Sequence, residues 1–470
     1  MKFETNSKKV KKGQIFVAIK GHTVDGHDFI DEAINNGAIK IIAEKEVESS
    51  IPVEIVKSSE EYLKEALKAE YADKINKLRI VGITGTNGKT TTAYLTYQLL
   101  NLLNEKTAYI GTLGFICNDN IIETDNTTPN ILTLYSLLLE AIDNGCKTVV
   151  MEVSSHSLSY ERIYGLHIDI AAFTNLTEDH LDYHKTMENY LEAKLKILNY
   201  LSKNSKLIVN GDDKASKSFI NKFGSGRTLG FDKNFDYFIK NTNIDAAQTN
   251  IEFVFLNKTY NVTTNLTSKF NVYNYITALA IVNNLGYSID DIIDKTSLLH
   301  QPKGRCETYK VNGGYAVVDY AHTPDAVEKV ITAYNELKKG KVITIVGCGG
   351  DRDPIKRPIM GKIATELSDY VILTSDNPRT EDPQKIMDDI LKGVSSDNFE
   401  VELDRKLAIK KGIEMLSKDD ILLVLGKGHE DYQILGRTKI HLDDAEEINN
   451  WIKNNEKNNE KEWEKCLKWC

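Results

Sequence analysis

The stretch Val81-Gly82-Ile83-Thr84-Gly85-Thr86-Asn87-Gly88-Lys89-Thr90-Thr91-Thr92 constrains the rest of the chain. Ile80 to Ile83 is a short apolar run and predicts a buried strand. A turn punctuated by Gly85 and Gly88 follows, and a helical pattern then runs from Thr90 through Leu103. Strand, glycine turn and helix in that order make a phosphate-binding loop. Gly85 and Gly88 let the backbone of 85–88 turn tightly and aim its N–H groups at an anion, and the helix N-terminus adds its positive end. Gly85, Thr86, Asn87, Gly88, Lys89, Thr90 and Thr91 are the expected nucleotide-binding residues. Lys89 can reach terminal phosphates, and the Thr90 hydroxyl is placed to ligate Mg²⁺. The spacing departs from the strict GxxxxGK[ST] form, because the first glycine of that pattern falls on Ile83. The plain alternative is a glycine-rich turn with an exposed lysine.

A chain of 470 residues exceeds one ordinary core and predicts two to four domains. Its 41% hydrophobic and 27% charged residues describe a soluble globular protein. A net charge of −9 argues against general nucleic-acid or membrane-surface binding, while leaving room for a local basic site. No apolar run approaches the roughly 20 residues of a membrane helix. The polar start Met1-Lys2-Phe3-Glu4-Thr5-Asn6 is not a signal peptide, and six scattered cysteines form no CxxC pair. Together these predict a cytoplasmic protein with reduced thiols.

Taken in order, residues 1–78 read as a small α/β unit, with strands at Ile15–Ile19 and Ile39–Ala43 and a helix from Phe29 to Asn36 ended by Gly37. The second unit, 79–301, continues after the phosphate loop with strands at 107–110, 148–151 and 170–173. Thr128 before Pro129 predicts the start of a helix. Glu152 at a strand end near a phosphate loop suits Mg²⁺. Thr174 to His184 packs two histidines and three acids after a strand, which favours a metal or substrate site over a plain charged loop. Met187 to Leu201 has helical spacing, and Lys194 on it reads, by itself, as a solvated lysine. Residues 206–265 read as β-rich, and Tyr275 to Leu285 as a helix stopped by Gly286. The third unit, 302–470, alternates strands and helices, which predicts a mostly parallel sheet whose strands end in polar loops facing one crevice. The tail 453–464 is rich in Asn, Lys and Glu and reads as frayed or as a solvated helix.

In combination these residues resemble the Mur ligase family along nearly the whole chain. The resemblance rests on TGTNGKTTT at 84–92, NTTP at 126–129, EVSSH at 152–156, TNLTEDHLDYH at 174–184, the AKL around Lys194, FNVYN at 270–274, VDYAHTPD at 318–325, GCGGDRD at 347–353, DNPR at 376–379 and GKGHEDY at 426–432. It implies an α/β protein of three domains: a small UDP-binding unit, a central ATPase and a Rossmann-like C-terminal domain that carries the incoming amino acid. It also implies ATP, Mg²⁺ and an acyl-phosphate route to an amide in peptidoglycan synthesis. Thr90 and Glu152 would hold one Mg²⁺, His180 would help hold a second, and Lys194 would be carbamylated by CO₂. Asn271 and His322 would flank adenine, with Asp319 and Arg305 on the nucleotide. Ser7, His22, Asn126, Thr127, Thr128, Ser154 and Arg162 would bind the acceptor, a UDP-muramoyl dipeptide. The incoming amino acid is expected to be meso-diaminopimelate. Its far end carries a carboxylate beside an ammonium, which suits the guanidinium of Arg379 in Asp376-Asn377-Pro378-Arg379. Arg352 would clamp the other carboxyl end, and Glu430 with Gly426 would take the distal ammonium. A monomer acting on small molecules, with no nucleic-acid or membrane partner, is the implied state.

The chain departs from the family pattern at Asn6-Ser7-Lys8, at Tyr160 in place of a glutamine, and at Ile355 in place of a glycine. These changes bear on the acceptor side more than on the chemistry. Three rival readings are a folylpolyglutamate-synthase-like ligase, a paralogue serving another carboxylate, and a non-catalytic nucleotide binder. The first lacks DNPR and GKGHEDY. Retention of Lys89, Thr90, Glu152, His180 and Lys194 argues against the last.

Overall fold

The computed structural model describes residues 1–21, 24–118 and 120–467, with side chains to residue 455. They pack as two units, one of residues 1–238 and 274–295, the other of residues 239–273 and from 296 on.

In the first unit the strand Arg79–Thr84 lies between parallel partners Thr148–Glu152 and Ile168–Phe173. Beyond Thr148–Glu152 come Thr107–Gly111 and then the antiparallel Gly114–Cys117 and Asn120–Ile122. Beyond Ile168–Phe173 come Leu201–Asn210 and Arg227–Gly230. The central strands are buried almost end to end, as expected when helices cover both faces of a parallel sheet. Their C-terminal ends therefore carry the loops free to bind ligands.

The same unit holds a four-stranded parallel sheet of Phe3–Glu4, Ile15–Val17, Lys40–Ala43 and Val53–Ile55. Alternation assigns its faces. Phe16, Ile41 and Ala43 pack with Ile30 and Ala33 of the helix Ile30–Asn35. Val17 and Ile42 join Leu63 and Leu67 of the helix Ser59–Ile75 and Leu134, Tyr135 and Leu138 of the helix Ile131–Asp143.

The second unit contains a six-stranded sheet in the order Glu307–Val311, Gly314–Asp319, Ile421–Leu425, Val342–Val346, Tyr370–Leu373, Phe399–Val401, parallel except for its first hairpin. Successive residues again serve opposite cores. Val317, Leu423 and Val371 face the helices Pro324–Leu337, Lys356–Leu367 and Pro383–Leu391, whereas Val318, Leu422 and Ile372 face Arg405–Met415 and Asp444–Leu467. Thr323 caps the helix that Pro324 opens. Residues 249–264 form an antiparallel hairpin, Thr249–Phe255 with Lys258–Thr264.

Several local expectations change. The helix expected to start at Thr128-Pro129 starts at Ile131, because Asn130 supplies the cap to the Thr133 N–H while the Thr128 hydroxyl donates to the Glu152 carbonyl. The helix expected over 187–201 is α only over Met187–Leu195 and tightens to a 3-10 turn, Lys196–Tyr200, before the next strand. The β-rich stretch also holds a short helix, Ser216–Phe223. The helix expected from Tyr275 begins at Lys269. The tail is the continuation of Asp444–Leu467.

That last helix is pinned by a buried ion pair. Arg405 donates from Nε to Asp444 Oδ1 at 2.8 Å and from Nη2 to Oδ2 at 2.6 Å, and Nη2 also reaches the Leu425 carbonyl at 3.0 Å. Removing one partner leaves the other as an uncompensated buried charge. Asp444→Ala should therefore cost about 3–5 kcal/mol in urea unfolding; an unchanged midpoint would contradict this role.

Candidate active site

The phosphate loop forms as its glycines require. Gly85 and Gly88 have φ of +147° and +84°, and a Cβ at Gly88 would collide with Asn274 Oδ1. The helix Lys89–Leu102 begins at Gly88 with no side chain capping it, and an uncapped helix N-terminus favours an anion. A phosphate fits such a terminus. Lys89 is folded over the loop, with Nζ donating to the carbonyls of Gly85 at 2.9 Å and Thr86 at 2.7 Å.

Lys194 is not on a solvated face. It is 1% exposed, donates to the same Gly85 carbonyl at 2.7 Å, and lies 4.3 Å from the centre of the Tyr190 ring. Burial pushes its amine well below the ordinary lysine range; the charge of Lys89 acts in the same direction and Asp179 opposes it.

Glu152 is fully buried at the end of its strand. Its Oε1 accepts from the Tyr109 hydroxyl at 2.5 Å and the Thr112 N–H at 2.8 Å; its Oε2 accepts from the Thr90 hydroxyl at 2.9 Å. A Cβ at residue 111 would collide with Oε1, so Gly111 is what lets the carboxylate lie there. A carboxylate and a hydroxyl side by side are hard oxygen donors of the kind Mg²⁺ takes. Tyr109 and Thr112 carry no motif; they come into view only when Thr107–Gly111 lies beside Thr148–Glu152.

The segment after Phe173 braces the phosphate loop. Thr174 Oγ1 and Asn175 Nδ2 donate to the Asn87 carbonyl at 2.6 and 3.0 Å, and the Thr177 N–H donates to Thr86 Oγ1 at 3.1 Å. His180 has φ of +53° and its side chain is 48% exposed, 3.5 Å from Asp179. Its ring faces His156 with centroids 5.0 Å apart, and His156 faces His184 at 5.4 Å. Burial and these neighbouring histidines push His184 down to about 4. Among the described residues no group of three or more His, Cys, Asp or Glu side chains stands where it could hold a metal.

Two of the residues expected to bind the acceptor, Ser7 and Arg162, line one cleft of about 780 Å³, with Lys8, Glu60, Lys64 and Tyr160. Ser7 donates to Glu32 at 2.5 Å, Arg162 donates to the Thr128 carbonyl at 2.8 Å, and the Arg162 guanidinium lies 5.7 Å from the Tyr160 ring centre. Ser154 caps the short helix Ser155–Ser159, and its N–H meets Thr128 Oγ1 at 3.1 Å, so both hydroxyls hold the end of the Glu152 strand. Thr127 Oγ1 lies 3.2 Å from Thr112 Oγ1, and Asn126 is exposed. His22 lies outside the described residues.

In the second unit, Asn377 joins two strand-end loops. Its Nδ2 donates to Glu430 Oε2 at 2.8 Å and its Oδ1 accepts from the Ile434 N–H at 2.9 Å. Arg379 sits at φ +53° and donates to the Gly350 carbonyl at 2.8 Å. A surface pair of Arg379 with Glu381 is not what forms: Glu381 is held by the buried Arg357 at 2.7 Å. Pro378 packs its carbonyl against Gly350, where a Cβ would collide. Gly426 has φ of +115°, and Arg352 is exposed, reaching only the Asp351 carbonyl at 3.3 Å. Lys427, which the sequence did not single out, is wholly buried 3.5 Å from Glu430 and 3.9 Å from Asp376.

Asp319 spends its oxygens on the N–H groups of Cys306 and Ala321, both at 2.9 Å, and burial raises it above the usual carboxylate range. The Arg305 guanidinium lies 4.9 Å from the Tyr320 ring centre; His322 Nδ1 is 2.8 Å from the Tyr320 carbonyl; Asn271 Nδ2 donates to the Thr267 carbonyl at 2.8 Å.

An uncapped phosphate-loop helix beside a braced carboxylate, together with a doubly wound second unit, defines a nucleotide-using α/β enzyme. Comparison with known proteins narrows the class. Residues 3–78 match the Mur ligase family catalytic domain, 83–282 the Mur ligase middle domain, and 304–428 the Mur ligase glutamate ligase domain. The chain belongs to the Mur ligase family. It is 41% identical over 464 residues to UDP-N-acetylmuramoyl-L-alanyl-D-glutamate–2,6-diaminopimelate ligase of Bacillus cereus, covering 96% of this chain and 94% of that one. It is 42% identical over 444 residues to the ligase of the same name from Aquifex aeolicus, covering 94% and 92%. A solved structure of a ligase with that name superposes with a TM-score of 0.69 at 33% identity, covering 97% of this chain and 95% of that one. Among the described residues no helix is long and apolar enough to cross a membrane.

Outer partners of a metal ligand set its orientation, and losing one weakens metal affinity by about 10–100-fold. Tyr109→Phe should therefore weaken Mn²⁺ binding, read by EPR with Mn²⁺ in place of Mg²⁺, by about tenfold or more. Unchanged Mn²⁺ affinity would show that Tyr109 does not orient Glu152 for a metal.

Proposed function

We propose that this chain is an ATP-dependent ligase that joins meso-2,6-diaminopimelate to the D-glutamate carboxylate of UDP-N-acetylmuramoyl-L-alanyl-D-glutamate. Whole-chain similarity to ligases of that name supports the reaction. The observation that carries the amino-acid choice is the joining of the Asp376–Arg379 and Gly426–Glu430 loops through Asn377 and Glu430. It gathers acids, an amide and a guanidinium at one set of strand ends, the mixture a zwitterionic end group needs. We assign residues 1–78 to the acceptor, 79–301 to ATP and 302–470 to the amino acid, in a monomeric cytoplasmic enzyme.

The residues have separable tasks. Lys89 and the loop N–H groups would neutralise the phosphates so that an anionic carboxylate can approach. Thr90 and Glu152 would hold Mg²⁺, which supplies charge neutralisation when bound. The acceptor carboxylate would take a phosphoryl group, and the amine would then displace phosphate. Asn271, Arg305, Asp319 and His322 are assigned to the nucleotide; Ser7, His22, Asn126, Thr127, Thr128, Ser154 and Arg162 to the acceptor; Arg352, Asp376, Asn377, Pro378, Arg379, Gly426 and Glu430 to the amino acid. Lys194 carries a carbamate in this reading. Its buried amine favours the neutral form that attacks CO₂ with loss of one proton, and the product is an anionic oxygen donor that, with His180, suits a second Mg²⁺.

A second reading has a specific observation behind it. Tyr160 stands at the cleft with Arg162, where the family pattern has glutamine, which fits a paralogue serving another carboxylate acceptor. A panel of acceptors against amino acids, scored by phosphate release, separates the two.

Losing a charge-assisted pair to a buried ligand costs several kcal/mol, so Arg379→Ala should lower kcat/KM for diaminopimelate by about a hundredfold. Wild-type use of L-lysine as readily as diaminopimelate would refute the assignment. Lys194→Ala should be nearly inactive and regain part of its activity with acetate, which supplies the missing oxygen donor. Full activity without acetate would remove Lys194 from the site.

A further inference from the structure

We infer that Lys427 is a positioning residue for the amino-acid site: by standing between Asp376 and Glu430 it keeps Glu430 anionic beside Asp376, so that the site holds negative charge for the ammonium of the incoming amino acid. This rests on the reading of the second unit as the amino-acid domain.

Lys427 has no exposed surface, and its ammonium is shared between two acids rather than closed on one. Its ammonium donates to the Tyr432 carbonyl and stands 3.5 Å from Glu430 Oε2 and 3.9 Å from Asp376 Oδ1. Asp376 Oδ1 is buried and has no hydrogen-bond partner among the described residues, whereas Glu430 Oε2 has only the Asn377 amide and the distant ammonium. Two acids so placed repel each other, and burial together with Asp376 pushes Glu430 up, while Lys427 pulls it down. The other charged groups near Lys427, Arg405 and Asp444, neutralise each other as a closed pair; Tyr320, Tyr432 and His322 complete the ionisable surroundings. Within 4 Å of the Lys427 ammonium stand two acids, Glu430 and Asp376. A ligand ammonium brings the second positive charge and meets an oxygen that lacks a partner. Without Lys427, burial and the neighbouring Asp376 charge push Glu430 toward its protonated form, and the ammonium loses that part of its anionic site.

The test compares wild type with Lys427→Met and Lys427→Arg. Lys427→Met should raise KM for the amino acid by about tenfold or more, leave KM for ATP and acceptor unchanged, and show that KM falling as pH rises from 6 to 9. Lys427→Arg should recover most of the loss. ¹³C-carboxyl NMR, with Glu430→Gln for assignment, should show the Glu430 carboxyl taking up its proton at higher pH in Lys427→Met than in wild type. An unchanged or lower KM, a loss of kcat alone, or a Glu430 titration unmoved in Lys427→Met would each overturn the inference. Failure of wild type to use any amino acid would overturn the parent reading instead, and the NMR comparison would still decide the charge claim.

Discussion

Two lysine amines meet at one backbone oxygen. Lys89 and Lys194 both donate to the carbonyl of Gly85, and only a residue with no Cβ can present that carbonyl, because a side chain there would run into Thr174. Two ammonium groups drawn to one carbonyl repel each other, the more so out of water. Lys194, the deeper of the two, is the one whose amine is driven down by burial. The loop is then rigid because of its neighbours: Thr174, Asn175 and Thr177 tie its backbone from one side, and Asn274 closes on Gly88 from the other. Everything the first unit does with a nucleotide depends on that small, crowded turn staying in place.

The features the sequence makes legible are those carried by local physics. An apolar run followed by Gly-x-x-Gly-Lys-Thr can only be strand, turn and helix, and the observed elements Arg79–Thr84 and Lys89–Leu102 follow from it. Alternating strands and helices beyond residue 302 likewise predict a mostly parallel sheet, and Val342–Val346 and Ile421–Leu425 pair in parallel within one. Features that depend on what lies across a sheet were not legible. Helical spacing places Lys194 on a face but does not say that Tyr190 and the phosphate loop cover it. Tyr109 is an ordinary strand tyrosine until Glu152 arrives beside it. Lys427 is one letter inside a glycine-rich motif, and its importance lies in two acids, one of them fifty residues away. Caps fail for the same reason: Thr128 has the right chemistry to start a helix, but its hydroxyl is already engaged with Glu152.

Two of the three departures from the family pattern fall in one place. Asn6, Lys8 and Tyr160 line the cleft of the first unit with Arg162, Ile355 lies in the second unit, and Lys89, Thr90, Glu152 and Lys194, which would do the chemistry, keep the pattern. Selection on a ligase acts separately on what it activates and on how it activates it. A site built from a strand-end loop tolerates little change, because its backbone makes the contacts. A cleft lined by side chains can be reshaped one residue at a time.

The central claim is that ATP activates a carboxylate by phosphorylation at the loop of residues 84–92. Isotope transfer tests it directly. With UDP-N-acetylmuramoyl-L-alanyl-D-glutamate labelled with ¹⁸O in its free carboxylates, turnover with ATP and diaminopimelate should release inorganic phosphate carrying one ¹⁸O from the acceptor. Phosphate without label, or label recovered in AMP, would contradict it.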